Sequence, residues 1–403
     1  MSRLPNRRSV RVGVAGVLLA LVAVGCGAPG ADSPDPGDGG SKRIPEKPAK
    51  PVTLDILDVA GNLQLTQGMI DAFVKEHPDV IAEVTYSKAP APDLAGKIKA
   101  QQQAGRVQVD LVLTGTDGLA AGIAQNLWSS MAEHQSVIGT PDYLEPAAEM
   151  QKLAQGRGTA IVYYPSGPLY EYDPEKVAQP PRTPGELLAW AKANPKRFQY
   201  ADPANSGPGR TFLMGLPYLL GDKDPRDPVN GWEKTWAYLK ELDKYIGVYG
   251  SGTTETMKNL ASGQVDMIMT TTGWYINPRA LGTVPQRMRA GHFDAMTWVT
   301  DAQYAVVPKG VDADTMSAAL QLVRWMLTPE QQAKAYDDGY FYPGPAIKNV
   351  PLSMAPEKSR ATLREFGVPE FDRWIDTFPK KPSLPADQQV KAFDLWNREV
   401  AGG

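Results

Sequence analysis

Cysteine is almost absent: Cys26 is the only one in 403 residues. No internal disulfide can form, and no cluster of thiolates can hold a metal. Histidine is nearly as scarce, with only His77, His134 and His292. His77 sits in KEHPD at a helix end and His292 in AGHFD in a loop, so both read as surface residues. HExxH, GxSxG and SxxK with its partner motifs are missing. Ser251 in YGSGTTE is flanked by glycines, yet no histidine or lysine is placed by sequence to activate it. An exported hydrolase is poorly served by this inventory, and no catalytic residue, metal or cofactor is expected. Excess basic charge is lacking too, since the formal net charge is −3. Without a basic face to neutralise phosphates, nucleic acid is excluded as a partner. After Val24 no apolar run approaches the roughly 20 residues of a membrane-spanning helix.

What is present begins at the amino terminus. Arg3, Arg7, Arg8 and Arg11 precede an acid-free apolar run from Val12 to Val24. A basic head, a short apolar middle and a small-residue exit are the layout of a secretion signal. The corner Ala23-Val24-Gly25-Cys26 resembles the lipobox of bacterial lipoproteins, with Ala23 where Leu is usual. The resemblance implies cleavage before Cys26, lipidation of Cys26, and retention at the outer face of the cell membrane. Cleavage would leave 378 residues and, by removing four arginines, move the formal charge from −3 to −7. That length suits two core-bearing lobes. Residues 27–50 hold five Gly and five Pro in 24 positions, with Ile44 the only large apolar residue. Such composition cannot offset its ordering entropy, so 26–50 is expected to be a flexible tether.

Alternation at Val52–Ile56 predicts a half-buried strand, followed by a turn-rich loop at 58–62 and a helix from Thr66 to Glu76. Ile81–Tyr86 reads as a second strand, Leu94 and Ile98 mark a helix, and Val109–Leu113 is a continuous apolar strand of a doubly covered sheet. A strand over 156–165 closes on Pro165. Beyond it come a helix at 185–193, a strand at 198–201, and Trp232, Trp236, Leu239 and Leu242 at helical spacing. A strand at 263–269, another at 302–307, and a helix carrying Met316, Leu320, Val323 and Leu327 complete the series. Strands alternating with helices predict open α/β layers.

The order FVKEHPDV, VDLVLTGTDGLAAGIAQNLW, GTAIVYYPSGPLYEYDPEKV, TPGELLAWA, GQVDMIMTTTGWYI, QYAVVPKG and LVRWMLTPEQQAKAYDDGYFYPG resembles the extracellular solute-binding proteins of ABC importers. The similarity is closest to the spermidine/putrescine, thiamine and iron cluster, and also extends to the sugar-binding family. It implies a two-lobed, periplasmic-binding-protein-like fold of type II. Each lobe would be an open, mostly parallel sheet flanked by helices, and crossover strands would join them. The implied layout is a first lobe of 51–160 and 271–312, a second of 161–270, and C-terminal helices over 313–403. The resemblance further implies a monomer that holds a small solute between the lobes and delivers it to a membrane permease, with no enzymatic step.

In open α/β sheets ligands sit beyond the carboxyl ends of strands. Five loops meet that description, and they supply Asn62; Thr114, Thr116 and Asp117; Tyr163, Tyr164 and Ser166; Asn205, Ser206 and Arg210; and Thr271, Thr272 and Trp274. Asp301 joins them, with Tyr170, Tyr340 and Tyr342 as further candidates. The Asn205–Arg210 loop either cradles an anion at a helix N-terminus or is a cap in which Asn205 or Ser206 accepts the first amides. Asp117 either meets a hydroxyl or ammonium or caps its own helix. The aromatic residues either stack on a solute or pack a lobe interface. A polyamine needs carboxylates at both ends of an aromatic slot, and Asp117, Glu171, Glu255 and Asp301 are available; Trp274, however, is followed by Tyr275, Ile276 and Asn277 where the polyamine pattern has an acid. A polyamine-like solute is the leading expectation, and a carbohydrate is the alternative. A lipoprotein adaptor is a further class, which would need an exposed apolar patch.

Overall fold

The computed structural model describes residues 44–59 and 61–402. The signal segment 1–25, Cys26 and most of the tether lie outside the described residues. The last seven residues assigned to the tether are docked: Ile44 packs on the first core, Pro48 is buried, and Lys47 pairs with Asp79.

Ten strands are described: β1 Val52–Asp58, β2 Ile81–Lys88, β3 Leu111–Gly115, β4 Thr159–Gly167, β5 Leu169–Tyr172, β6 Phe198–Gln199, β7 Met267–Thr270, β8 Arg289–Gly291, β9 Trp298–Val306 and β10 Lys380–Pro382. They form two sheets. The first runs β10-β9-β3-β1-β2, with β4 also pairing β9; the second runs β6-β7-β5-β8. In the first sheet β1 is parallel to both β2 and β3, whereas β9 lies antiparallel to β3 and β4. In the second sheet only β6 and β7 are parallel, because β5 runs against both β7 and β8.

Side-chain alternation sorts the first sheet onto two cores. Leu54, Ile56, Leu111 and Leu113 face one cluster, and Leu57, Val109 and Val112 face the other. This double burial is why the chain reads as nearly continuous apolar residues at 109–113. Helix Leu63–Glu76 and helix Ala313–Met326 cover one face, and helix Ala91–Gln103 the other. Asp312 fixes the start of its helix by accepting from Asp314 N and Thr315 N at 3.0 and 3.1 Å. The second lobe centres on Phe198, Phe212, Trp232, Phe293 and Trp298.

Strand pairing moves the changeover points. The chain leaves the first sheet at Gly167–Pro168, so 161–167 pair with β9 instead of belonging to the second lobe. The return comes after β8, so 289–291 stay with the second sheet instead of joining the first. β4 pairs with β9 from Thr159 to Tyr164 and again at Gly167, and the sequence carries no mark of which sheet provides that partner. The C-terminal portion is split: helix Ala313–Met326 packs on the first core, while Leu363, Phe371, Ala392 and Trp396 bury in the second. No helix among the described residues is long and apolar enough to cross a membrane.

Glu171 in β5 is fully buried, and neither carboxylate oxygen has a partner. Burial pushes its pKa well up, only partly offset by Arg279. A raised folded-state pKa means the protonated form fits the fold. Stability is therefore full below the unfolded carboxylate range near 4.5 and declines as pH rises through the folded value. Glu171→Gln is expected to stabilise the protein at pH 7 and to flatten that decline in urea titrations across pH 5–8. A variant whose pH profile superimposes on the wild type would remove Glu171 as the cause.

Candidate functional site

A cleft of about 720 Å³ lies between the two sheets, lined by residues from both lobes. Its geometry follows from helix starts. Ser206 has extended backbone and caps helix Gly207–Leu220, its hydroxyl accepting from Gly209 N at 3.2 Å. Pro208 in the first turn needs no donor there. Ser206 Oγ is 2.8 Å from Thr253 Oγ1 at the first residue of helix Thr253–Ala261, so two helix N-termini meet. Thr271 caps helix Thr272–Ala280 by accepting from Trp274 N at 3.2 Å. Helix Thr116–Ala124 opens after Gly115 on the opposite lobe. The cap reading of the 205–210 loop is the one its geometry carries, with Ser206 and not Asn205 as the cap.

A buried charge network forms part of the lining and continues behind it. Arg210 is 5% exposed, pairs with Asp301, and reaches Asp117 Oδ2 at 3.3 Å. Asp301 is fully buried and accepts from Thr116 Oγ1 at 2.5 Å and from its neighbour Ala302 N at 2.9 Å. Burial opposes the Arg210 charge, but the Asp301 and Asp117 carboxylates outweigh it and hold its pKa above the ordinary value. Arg210 belongs to the second lobe, Asp301 to β9 and Asp117 to helix Thr116–Ala124, so the network spans the cleft. Asp117 does not cap its helix; its Oδ1 accepts from Gly118 N at 2.9 Å inside the first turn.

The other wall is aromatic. Tyr164 stacks on Phe341 with centroids 4.6 Å apart, Phe341 meets Tyr340 at 4.3 Å, and Tyr340 meets Trp274 edge-on at 5.5 Å. All four line the cleft, and Trp274 is half-buried. Tyr340 and Phe341 come from the segment 337–344, which passes between the lobes. Thr272 Oγ1 donates to Tyr342 O at 2.8 Å, and Tyr163 and Gly344 exchange backbone bonds. Two glycines make room for this strap. Gly61, at φ +73°, faces the Tyr340 ring, and a Cβ on Gly273 would stand 1.7 Å from Tyr340 O. Burial raises the Tyr340 phenol to about 12, with the Asp58 and Asp337 charges adding to it, so it stays a neutral donor.

Of the sequence-selected residues, Asp117, Tyr164, Ser166, Asn205, Ser206, Arg210, Glu255, Thr271, Trp274 and Tyr340 line the cleft. The others stand back from it. Tyr163 points to the far face of β4 into the second core of the first sheet, as strand alternation demands of a neighbour of Tyr164. Thr114 is fully buried against Gly118, Thr116 and Asp301 lie beneath Arg210, and Thr272 holds the strap. Asn62 is behind Gln303, to which its Nδ2 donates at 3.4 Å; Gln303 in turn donates to Tyr164 Oη at 3.1 Å. Tyr170 is a core residue, donating to Pro181 O at 2.7 Å, and Tyr342 donates to Asp372 at 2.6 Å away from the cleft. Phe341, Gln303 and, apart from Glu255, the 252–258 helix start were not selected. The Gly-Ser-Gly-Thr-Thr run at 250–254 is a helix-start signal that marks the last of these.

The sequence matches the family model of the bacterial extracellular solute-binding proteins over residues 68–363. No curated protein sequence matches it significantly. Among solved structures it resembles a GABA receptor at a TM-score of 0.62 and 17% identity, covering 87% of this chain and 98% of that one. A spermidine/putrescine ABC transporter protein from Listeria monocytogenes aligns at 0.58 and 16% identity over 86% and 98%. A periplasmic binding protein from Actinobacillus pleuropneumoniae, solved with exogenous fructose-6-phosphate bound, aligns at 0.58 and 14% over 87% and 99%. The similarity to these structures concerns the fold. With two α/β lobes, a cleft between them and a family match over most of its length, the chain belongs to the bacterial extracellular solute-binding protein family.

Proposed function

We propose that this protein is the lipid-anchored receptor of an ABC importer, which captures a small organic solute between its lobes and presents the closed form to a membrane permease. The observation that carries the reading is the cleft itself, walled by aromatics on one side and helix N-termini on the other. A volume of about 720 Å³ falls in the range of small-molecule sites. Binding works by hydrogen bonds and aromatic contact while closure excludes water, with no covalent step. It acts as a monomer, since one chain supplies both walls.

The identity of the solute follows less directly. The related structures include proteins named for GABA and for polyamines and one solved with exogenous fructose-6-phosphate bound, so the fold serves many chemistries. A polyamine needs free carboxylates, and these are few. Glu171 is in the second core and Asp301 is spent on Arg210 and Thr116. The Trp274–Tyr340 face supports the alternative of a sugar ring, because an apolar sugar face stacks on such a surface.

Thermal unfolding of the full chain in detergent, with candidate solutes added, tests the receptor reading, since a ligand stabilises by RT ln(1 + [L]/Kd). For the anchor, Cys26→Ser is expected to release the protein to the medium or leave it uncleaved. Membrane fractionation checks this, and unaltered retention would refute lipidation at Cys26.

A further inference from the structure

The acids of the cleft are engaged, whereas several of its donors keep unused hydrogen-bonding capacity. Four charged side chains line it, Asp117 and Glu255 against Arg210 and Lys258, so their formal sum is zero. Asp117 already takes the Arg210 guanidinium and the Gly118 amide. One oxygen of Glu255 takes both the amide and the hydroxyl of Ser251 at 2.7 Å. Those bonds from Ser251 hold the Glu255 carboxyl below its usual range.

The donors stand differently. Ser166 is fully buried at the cleft wall, and its hydroxyl has no partner. Its backbone is left-handed at φ +65°, where the register of β4 against β9 slips between Tyr164 and Gly167. A bulge of this kind re-aims a side chain, and a non-glycine residue holds that conformation at a cost. Arg210 keeps its Nε without a partner although nineteen-twentieths of the residue is buried. Lys258 lines the cleft one turn into its helix, is exposed, and enters no ion pair among the described residues. The first-turn amides of Thr253 and Thr254 have no intrahelical acceptor and carry the positive end of the helix dipole.

We propose that the cleft selects a solute bearing an oxyanion, a carboxylate or a phosphate ester, seated against Ser166, Arg210 and the amino end of helix Thr253–Ala261, with its organic body on the Trp274–Tyr340 face. The inference rests on the receptor reading above and narrows it. Buried donors without acceptors cost free energy, and an oxyanion removes that cost at several of them together. An ammonium in the same place would face donors that cannot accept from it.

The test is a thermal-shift and calorimetric comparison of the full chain in detergent against four panels: monocarboxylates, sugar phosphates, polyamines and neutral sugars. A carboxylate or a phosphate ester is expected to raise the melting temperature, the two arms separating the two sources of the oxyanion. Its affinity is expected to fall about tenfold in Ser166→Ala and in Lys258→Gln, and to weaken with added salt. Binding of a polyamine or neutral sugar with no response to either anion panel overturns the inference while the receptor reading stands. Anion binding unchanged in both variants overturns the proposed seat. Silence across all four panels overturns the receptor reading itself.

Discussion

Arg210→Ala is expected to lower the unfolding free energy by about 3–5 kcal/mol, the range for stripping one partner from a buried ion pair. The loss arises from what remains. Asp301, fully buried, would keep only Thr116 and its neighbouring amide, and Asp117, 18% exposed in its side chain, would lose its cation. The double variant Arg210→Ala/Asp301→Asn is expected to recover about 2 kcal/mol of that loss, because the stranded charge has gone. Denaturant titrations of the wild type, both single variants and the double variant measure the coupling. A single-variant effect below about 1 kcal/mol would mean that water reaches the two carboxylates and that the network is not sealed.

The second large effect concerns the strap. Gly273→Ala places a methyl 1.7 Å from Tyr340 O and 3.0 Å from Gly339 O, both backbone atoms that no rotamer change can move aside. The strap must retreat, at an expected cost of about 2–3 kcal/mol, as for other overpacked sites. Tyr340 and Trp274 are parted by the same displacement, so stabilisation by any solute is expected to vanish with it. Melting temperatures with and without ligand read both effects. A variant that melts like the wild type and still responds to ligand would show that the strap has no part in the site.

The sequence shows its cleft-facing loops well where a strand ends and a helix begins, because those junctions carry small polar caps. Ser206 and Thr271 are legible for that reason. It shows less where two elements distant in the chain meet. Nothing around Asp301 announces that Arg210, 91 positions away, takes its charge. Tyr163 and Tyr164 form another limit: alternation dictates that one faces the cleft and the other the core, yet the pattern is symmetric and does not say which. Tyr340 and Phe341 are visible as an aromatic run, but their place opposite Trp274 depends on a passage of chain that returns between the lobes after β9.

That passage has a mechanical consequence. The halves of the molecule are joined at Gly167–Pro168 and between Gly291 and Trp298, the segment 337–344 is wedged between them, and the C-terminal portion crosses again on either side of Lys380–Pro382. The 337–344 segment, met by Gly61 on one side and Gly273 on the other, adds close packing that opposes sliding of one half over the other. Whatever occupies the aromatic face therefore pushes on the same segment that Lys358 and Thr362 grip through Asp338. A displacement of the aromatic face is therefore expected to be felt at helix Glu357–Phe366, which contributes nothing to the cleft lining.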